Sequence, residues 1–223
     1  MLSGVLTPAF LQSAGRAGKG KNVIRFMGTE ADPSKIQISA DGNVDIISTK
    51  NGEIIKQTIV SPYEQYVSIQ ADANTTVEIV GNVTFIQFDG DSEWSEFLKS
   101  VDTSENKVLE TLQFEMCTDS LERLDLSKNS NLKSLTIHYC TKLNYLDIRN
   151  CTQLIEIMQA ELDKITTIYC IANNEDVASS IATMIVNSTI NHGTAYCNST
   201  DTYYQMVADA CTSAQWTILP LPA

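Results

Sequence analysis

Two aspartates separated by one repeat length are the residues of this sequence best placed for acid–base chemistry. Asp125 and Asp147 lie 147 − 125 = 22 residues apart. If they occupy neighbouring strands they stack about 5 Å from each other, close enough for one carboxyl group to act as acid and the other as nucleophile on a sugar. Such a hydrolase needs a pocket that raises one pKa and excludes water, and a strand face offers none. A solvated pair, partly neutralised by Arg123 and Arg149, is the simpler interpretation.

A glycine-rich stretch near the N-terminus has the spacing G-x-x-x-x-G-K of a phosphate-binding loop, from Gly15 to Lys21. A working loop follows a buried strand and places a Ser or Thr hydroxyl on magnesium. Here Asn22 takes the hydroxyl position and no strand precedes. We interpret the stretch instead as a basic docking arm for an acidic protein surface, or simply a solvated linker. The charges of this arm are Arg16, Lys19, Lys21 and Arg25.

Cysteine and histidine do not form a site in this sequence. Six cysteines in 223 residues are too few for a disulfide scaffold. There is no C-x-x-C pair, and the isolated His138 and His192 do not suit zinc. His138 and Cys140 are two positions apart, a poor geometry for a nucleophile pair. We expect no metal, no cofactor and buried thiols at five or more of the six cysteines.

Leucine-like residues recur every eleven positions between residues 121 and 173. Alternate side chains of a short strand face the same way, so each register is predicted to point into one core. A fourth register, with Asn129, Cys140 and Cys151, falls where the chain bends and can bond backbone groups of neighbouring segments. The three apolar registers are Leu121, Leu132, Leu143, Leu154, Ile165; Leu124, Leu135, Leu146, Ile157, Ile168; and Leu126, Ile137, Ile148, Gln159, Cys170.

The runs LDLSKNSNL, LTIHYCTKL and LDIRNCTQL resemble the short leucine-rich repeats of gut bacterial surface proteins and of the phages and prophages that infect such bacteria. The resemblance covers about half of the chain. It implies stacked coils of about 22 residues with end caps on both sides. Members of this family serve as adhesins, surface modules and virion parts, and no site residues carry over from them.

The flanking segments complete the predicted architecture. Residues 36–80 alternate apolar and polar positions, with turns at Asp41-Gly42 and Asn51-Gly52. Residues 93–102 have helical periodicity, and the C-terminal third alternates strand and helix. Its first helix is predicted to start at Asn174, Glu175 and Asp176 and to bury the stripe Val177, Ile181, Met184 and Ile185. Asp201 is predicted to cap its second helix. The predicted fold is mixed α/β: an antiparallel β unit, a leucine-rich-repeat solenoid and an α/β C-terminal cap. The predicted domains are an arm (1–21), a β-rich unit (22–82), the solenoid (83–173) and the cap (174–223).

Charge and hydropathy limit the classes of partner. A net charge of −12 disfavours nucleic acid and anionic membranes. The apolar start, residues 1–14, lacks a preceding basic residue and is too short to span a membrane, so we expect it to be retained rather than cleaved as a signal peptide.

These observations predict a non-enzymatic structural or interaction protein. We expect a phage virion component, part of an assembly, whose arm docks on other virion proteins and whose solenoid contacts a host-surface protein or glycan. The alternative is a bacterial adhesin or binding module at the cell surface. Tyrosine and arginine are enriched at interfaces, and the predicted interaction face is Arg123, Asp125, Tyr145, Asp147, Arg149 and Tyr169.

Overall fold

The computed structural model describes residues 22–28, 34–89, 98–115 and 121–222. These residues form fourteen strands and two helices. In chain order the strands are β1 (Val23–Gly28), β2 (Ser34–Lys50), β3 (Glu53–Ile59), β4 (Gln65–Ile69), β5 (Thr76–Asp89), β6 (Leu98–Asp102), β7 (Thr111–Glu115), β8 (Arg123–Asp125), β9 (Ser134–His138), β10 (Tyr145–Asp147), β11 (Glu156–Ala160), β12 (Thr167–Tyr169), β13 (Thr194–Tyr196) and β14 (Thr217–Leu219). The helices are α1 (Glu175–Asn187) and α2 (Tyr204–Ser213).

The predicted mixed α/β class is wrong, because strands account for 45% of the structure and helices for 13%. Nine strands form one mixed sheet, with the order β11-β9-β7-β5-β1-β6. In addition β2 pairs with β5, and β3 and β4 pair with β2. The other five form a parallel sheet, with the order β14-β13-β12-β10-β8. The chain is therefore mostly β.

The predicted leucine-rich-repeat solenoid at residues 83–173 is also wrong, because its strands are divided between two sheets and one of these sheets includes the N-terminal strands. β5 pairs antiparallel with β1 and β2, and its second half pairs parallel with β7. The predicted α/β cap is likewise not a separate unit. Its strands β13 and β14 extend the five-stranded sheet in parallel with β12.

The eleven-residue spacing of leucines places successive segments alternately in the two sheets. In the nine-stranded sheet Leu112, Leu135 and Ile157 are aligned across three parallel strands. In the five-stranded sheet Leu124 and Leu146 are aligned in the same way. All five side chains are buried in a core that the two sheets share. The predicted inward orientation of these leucines is confirmed.

The N-terminal turns give one success and one failure. Asn51 and Gly52 both have positive φ, 52° and 78°, as a two-residue turn between β2 and β3 requires. The predicted turn at Asp41-Gly42 is wrong, because β2 continues through it. The register between β2 and β5 shifts there, between Asp41 and Asp45, so the extra residues are absorbed as an irregularity within the strand.

The predicted helix at 93–102 is wrong for its second half, and residues 93–97 lie outside the described residues. Leu98–Asp102 form β6, which pairs antiparallel with β1. Val101 is the partner of Phe26 in this pairing, and Leu98 is fully buried. This segment forms a strand despite its helical spacing of apolar residues, because it pairs with an edge of β1 that would otherwise be unpaired.

Helix α1 has the predicted start and the predicted apolar face. The side chain of Asn174 accepts a hydrogen bond from the Val177 N–H at 3.1 Å, which caps the helix. Val177, Ile181, Met184 and Ile185 are buried as predicted. Neither helix in the described ranges is long and apolar enough to cross a membrane.

Helix α2 differs from its prediction at the N-terminus. Asp201 was the expected cap, but its carboxylate accepts the Ala172 N–H at 2.8 Å. Tyr203 stands at the cap position without a side-chain bond. Asp201 therefore ties the start of α2 to the end of β12 instead of closing the helix.

Candidate interaction surface

The outward face of the five-stranded sheet carries two straight rows of side chains. Strands β8, β10, β12, β13 and β14 pair in parallel without offset, so equivalent residues are direct neighbours. The residues between the two rows face the core. The first row is Arg123, Tyr145, Thr167, Thr194 and Thr217. The second row is Asp125, Asp147, Tyr169, Tyr196 and Leu219.

Three tyrosines and Arg123 from these strands, with Arg149 from the turn after β10, form a continuous stack. We call it the Tyr–Arg ladder (Arg123, Tyr145, Arg149, Tyr169 and Tyr196). The guanidinium carbon of Arg123 lies 3.3 Å from the ring centre of Tyr145, and that of Arg149 lies 4.1 Å from the ring centre of Tyr169. Both distances are within the range of cation–π attraction.

The rings also contact one another. The Tyr145 and Tyr169 centroids are 5.6 Å apart at 44°, and those of Tyr169 and Tyr196 are 4.2 Å apart and nearly parallel at 3°. Aromatic pairs contribute about 0.5–1.5 kcal/mol each beyond the burial of area. The ladder is therefore a fixed feature of the sheet surface.

Asp147 is buried beneath the ladder and holds two of its members, Tyr145 and Arg149, in place. Its side chain is only 1% exposed, and it accepts bonds from Arg149 Nε at 3.0 Å and from the Tyr145 hydroxyl at 3.2 Å. These bonds to Asp147 raise the pKa of Arg149 above its ordinary value. The arginine that covers Tyr169 is thus held as a permanent cation, and a buried carboxylate is neutralised.

The hydroxyls of Tyr145 and Tyr169 stay protonated at neutral pH. Partial burial, and then the charge of Asp147, raise the pKa of Tyr145. Partial burial, and then a hydrogen bond with Tyr196, raise the pKa of Tyr169. The ladder presents phenol rings and guanidinium groups, and the guanidinium N–H groups that Asp147 does not bind can donate hydrogen bonds to a partner.

The two aspartates of the predicted acid–base pair have different surroundings. Asp125 and Asp147 are direct partners across β8 and β10. Asp125 is exposed and accepts the Ser127 N–H at 3.0 Å, whereas both oxygens of Asp147 are occupied by Arg149. A shallow depression of about 240 Å³ lies elsewhere, and neither carboxylate lines it. Its lining is Cys151, Thr152, Gln153, Leu154, Ile155, Ile171, Asn173, Asn174 and Val177.

The predicted docking arm falls mostly outside the described residues, which include neither Arg16, Lys19 nor Lys21. Arg25 lies within β1, and its side chain is 15% exposed. Its Nε contacts Glu78 at 2.8 Å and its Nη1 contacts Glu105 at 3.2 Å. The charge of Arg25 is therefore paired with carboxylates of the same chain instead of being presented to a docking partner.

The cysteines of the described residues are all free and buried, as expected for five of the six. Among the described residues, no group of three or more His, Cys, Asp or Glu side chains is arranged to hold a metal ion. His138 Nδ1 lies 3.1 Å from Glu115 Oε2, while the Cys140 thiol is directed to the carbonyl of His138.

Tyr196 is the ladder member that the sequence argument left out. Repeats of 22 residues link Arg123 to Tyr145 and Asp125 to Asp147 and Tyr169, but Tyr196 follows Tyr169 by 27 residues because α1 lengthens the connection. The tripeptides Thr167-Ile168-Tyr169 and Thr194-Ala195-Tyr196 share a T-x-Y pattern. That pattern was the available signal.

Alkaline pH is expected to destabilise the fold through Cys151, whose Sγ lies 3.3 Å from the Leu126 carbonyl oxygen. Burial, and then the charges of Asp147 and Asp125, raise the pKa of Cys151 to about 12. An unfolded cysteine titrates near about 8.5. The folded chain therefore keeps a proton that the unfolded chain loses, and this stabilising contribution is complete below about pH 8.5 and is lost as the pH rises towards the folded value.

Urea unfolding between about pH 8 and about pH 10 checks this expectation. Cys151→Ala should reduce the fall in the free energy of unfolding by up to about 1.4 kcal/mol per pH unit relative to the parent chain. Equal slopes for the two proteins would contradict the assignment.

Together, the fold and the surface define a mostly-β protein in which two sheets share one core and the parallel sheet presents a Tyr–Arg ladder. No protein-family model, no curated protein and no solved structure matches the chain.

Proposed function

We propose that the chain is a non-enzymatic interaction protein and that the Tyr–Arg ladder is its contact surface for another protein. The observation that carries the proposal is the continuous stack from Arg123 to Tyr196 on the outer face of a regular sheet. Tyrosine and arginine dominate the energetic centres of protein interfaces.

The geometry of the ladder favours a protein partner over a glycan. Sugars bind aromatic side chains through exposed ring faces, but here Tyr169 is covered by Tyr196 on one side and by Arg149 and Tyr145 on others. What the ladder offers instead is ring edges, hydroxyls and guanidinium groups. These suit the mixed polar and apolar surface of a folded protein.

Preorganisation supports the same proposal. Arg149 is fixed by Asp147, and Tyr145 is fixed by both Asp147 and Arg123. A partner would then bind side chains whose rotamers are already restricted, which reduces the entropic cost of about 0.5–1.5 kcal/mol for each side chain that binding immobilises.

Within this class we propose a virion component of a phage, supported by the resemblance of the repeat motifs and by the basic segment with Arg16, Lys19 and Lys21. In this proposal the basic segment docks on other virion proteins and the ladder contacts a protein of the host surface. The alternative is a bacterial cell-surface adhesin. In that case the same ladder would be displayed on the bacterium and would contact a protein outside it.

Quantitative mass spectrometry of purified particles and of host fractions distinguishes the two placements. A virion component is expected in the particles at a constant ratio to the major structural proteins. Recovery in the host envelope or the medium, with none in the particles, would overturn the virion proposal and support the adhesin.

Removal of the central ring is expected to weaken binding to host cells about tenfold, a loss of about 1.4 kcal/mol. Tyr169→Ala deletes the ring that both Tyr145 and Tyr196 contact and that Arg149 covers. The measurement is adsorption of particles or of labelled protein to host cells. Tyr63→Ala is the matched control, since Tyr63 is 80% exposed and lies in the connection after β3. Equal binding by both variants would contradict a role for the ladder.

A further inference from the structure

Two buried cysteines occupy equivalent positions directly after neighbouring strands of the five-stranded sheet. Cys170 follows Tyr169 and Cys197 follows Tyr196, and these tyrosines are direct partners across β12 and β13. The Cys170 N–H donates to the Tyr196 carbonyl at 2.9 Å, so the pairing continues to the cysteines. Strands in a sheet lie about 4.7–4.9 Å apart, within the Cα separations of about 4.4–6.8 Å that a disulfide spans.

The two thiols face the same interior. Cys170 is fully buried and Cys197 nearly so. The Cys170 thiol is directed to the Tyr196 carbonyl oxygen at 3.4 Å, in the residue that precedes Cys197. Cys211 is also buried, but it lies in helix α2 and not beside a paired strand. Of the three thiols, Cys170 and Cys197 are therefore the pair that strand pairing brings together.

We propose that Cys170 and Cys197 form an intramolecular disulfide when the chain folds in the presence of a small-molecule disulfide such as oxidised glutathione. The thiolate of one cysteine attacks the glutathione disulfide, forms a mixed disulfide and releases one glutathione thiolate. The second cysteine then attacks the protein-bound sulfur, closes the Cys170–Cys197 bond and releases the second glutathione. The two cysteine thiols are oxidised, and their protons pass to the two glutathione thiolates.

Folding is the step at which this exchange can occur. In the native protein both thiols are buried, and the hydrogen bond with Cys197, followed by burial, raises the pKa of Cys170. A protonated, buried thiol is a poor nucleophile. In the unfolded chain the same groups are exposed, and the stacking of β12 on β13 then brings them together before the core closes.

The bond would close a loop of 197 − 170 = 27 residues that contains α1 and β13. Loop closure of this length reduces the entropy of the unfolded chain, and we expect the melting temperature to rise by about 5–10 °C. The cross-link would also join the two strands that carry the stacked Tyr169 and Tyr196. The inference does not depend on the proposed function, because it concerns the interior of the sheet.

The test is to refold the urea-denatured chain in a buffer of reduced and oxidised glutathione, and to map cross-linked peptides by mass spectrometry after alkylation and proteolysis. A Cys117→Ser background removes the one cysteine that lies outside the described residues. The expected result is a Cys170–Cys197 peptide pair and a higher melting temperature than that of the reduced protein. Cys211→Ser is the matched control and should keep both.

Cys170→Ser and Cys197→Ser should each lose the cross-link and the thermal shift. Circular dichroism of the reduced variants establishes that they fold, so that loss of the cross-link is not loss of structure. A folded parent chain with no disulfide after refolding, or with Cys211 in the principal cross-link, would overturn the proposal.

Discussion

Replacing Phe88 by alanine is expected to lower the free energy of unfolding by about 3–5 kcal/mol. Phe88 lies in β5 and is fully buried. Its ring meets Phe26 edge-on at 5.3 Å and stacks on Phe114 at 5.5 Å. Phe26 belongs to the antiparallel part of the nine-stranded sheet and Phe114 to the parallel part. The substitution therefore opens a cavity at the junction of the two parts. Urea unfolding followed by circular dichroism measures the loss.

Phe85→Ala is the matched control for this experiment. Phe85 lies in the same strand, points to the opposite face and is only half-buried, so its loss should cost less than about 1.5 kcal/mol. Because Phe88 joins both parts of the sheet, a single unfolding transition should shift as a whole in Phe88→Ala. Two transitions, of which only one shifts, would show that the N-terminal strands and the repeat strands fold separately.

The leucine registers could be predicted because burial in a strand has a period of two and the repeat has a fixed length. Leu124 and Leu146 needed only a strand and a neighbour 22 residues away to be placed in the core. The outward residues Arg123 and Tyr145 followed from the same alternation. This part of the surface was therefore accessible from sequence.

The fold class could not be predicted, because it depends on where strands join. The sequence predicts a boundary between residues 82 and 83, and it does not show that β5 continues through it. The first half of β5 pairs antiparallel with β1, and its second half pairs parallel with β7. The apolar spacing of residues 93–102 fits a helix equally well until the free edge of β1 is known. Pairing between strands that are distant in sequence determines both the two pairings of β5 and the formation of β6. The local periodicity of apolar residues contains no information about such pairing.

Tyr196 shows the same limit at the candidate site. The ladder continues past Tyr169 only because α1 returns the chain to the sheet in register. The geometry of a helical connection, and not the length of a repeat, sets that position. Asp147 is similar, since its burial beneath Arg149 depends on the side chains around it and its sequence context matches that of the exposed Asp125.

Asn129→Ala is expected to cost about 3 kcal/mol of stability, because it leaves buried polar groups without partners. Asn129 is 1% exposed. Its Nδ2 donates to the carbonyl oxygens of Thr103 at 3.0 Å and Asn106 at 2.9 Å, and its Oδ1 accepts the Thr103 hydroxyl at 2.7 Å. Alanine removes all three bonds, so the two buried carbonyl oxygens and the Thr103 hydroxyl lose this partner. Chemical denaturation measures the loss.

Two further variants separate this effect from a general cost of losing asparagine. In Asn131→Ala the lost bond, to the Lys107 carbonyl at 2.7 Å, is exposed, so water replaces it and the cost should stay below about 0.5 kcal/mol. Asn129→Cys should fall between the two. At the matching position of the next repeat Cys151 reaches one carbonyl, that of Leu126, and a thiol can satisfy one of the two carbonyls that Asn129 serves. Equal losses of stability for Asn129→Ala and Asn131→Ala would mean that the fourth register, which contains Asn129, stabilises the fold by packing and not by hydrogen bonds. The expected order, alanine worse than cysteine and both worse than the exposed control, would assign its stability to the backbone carbonyls that this register satisfies.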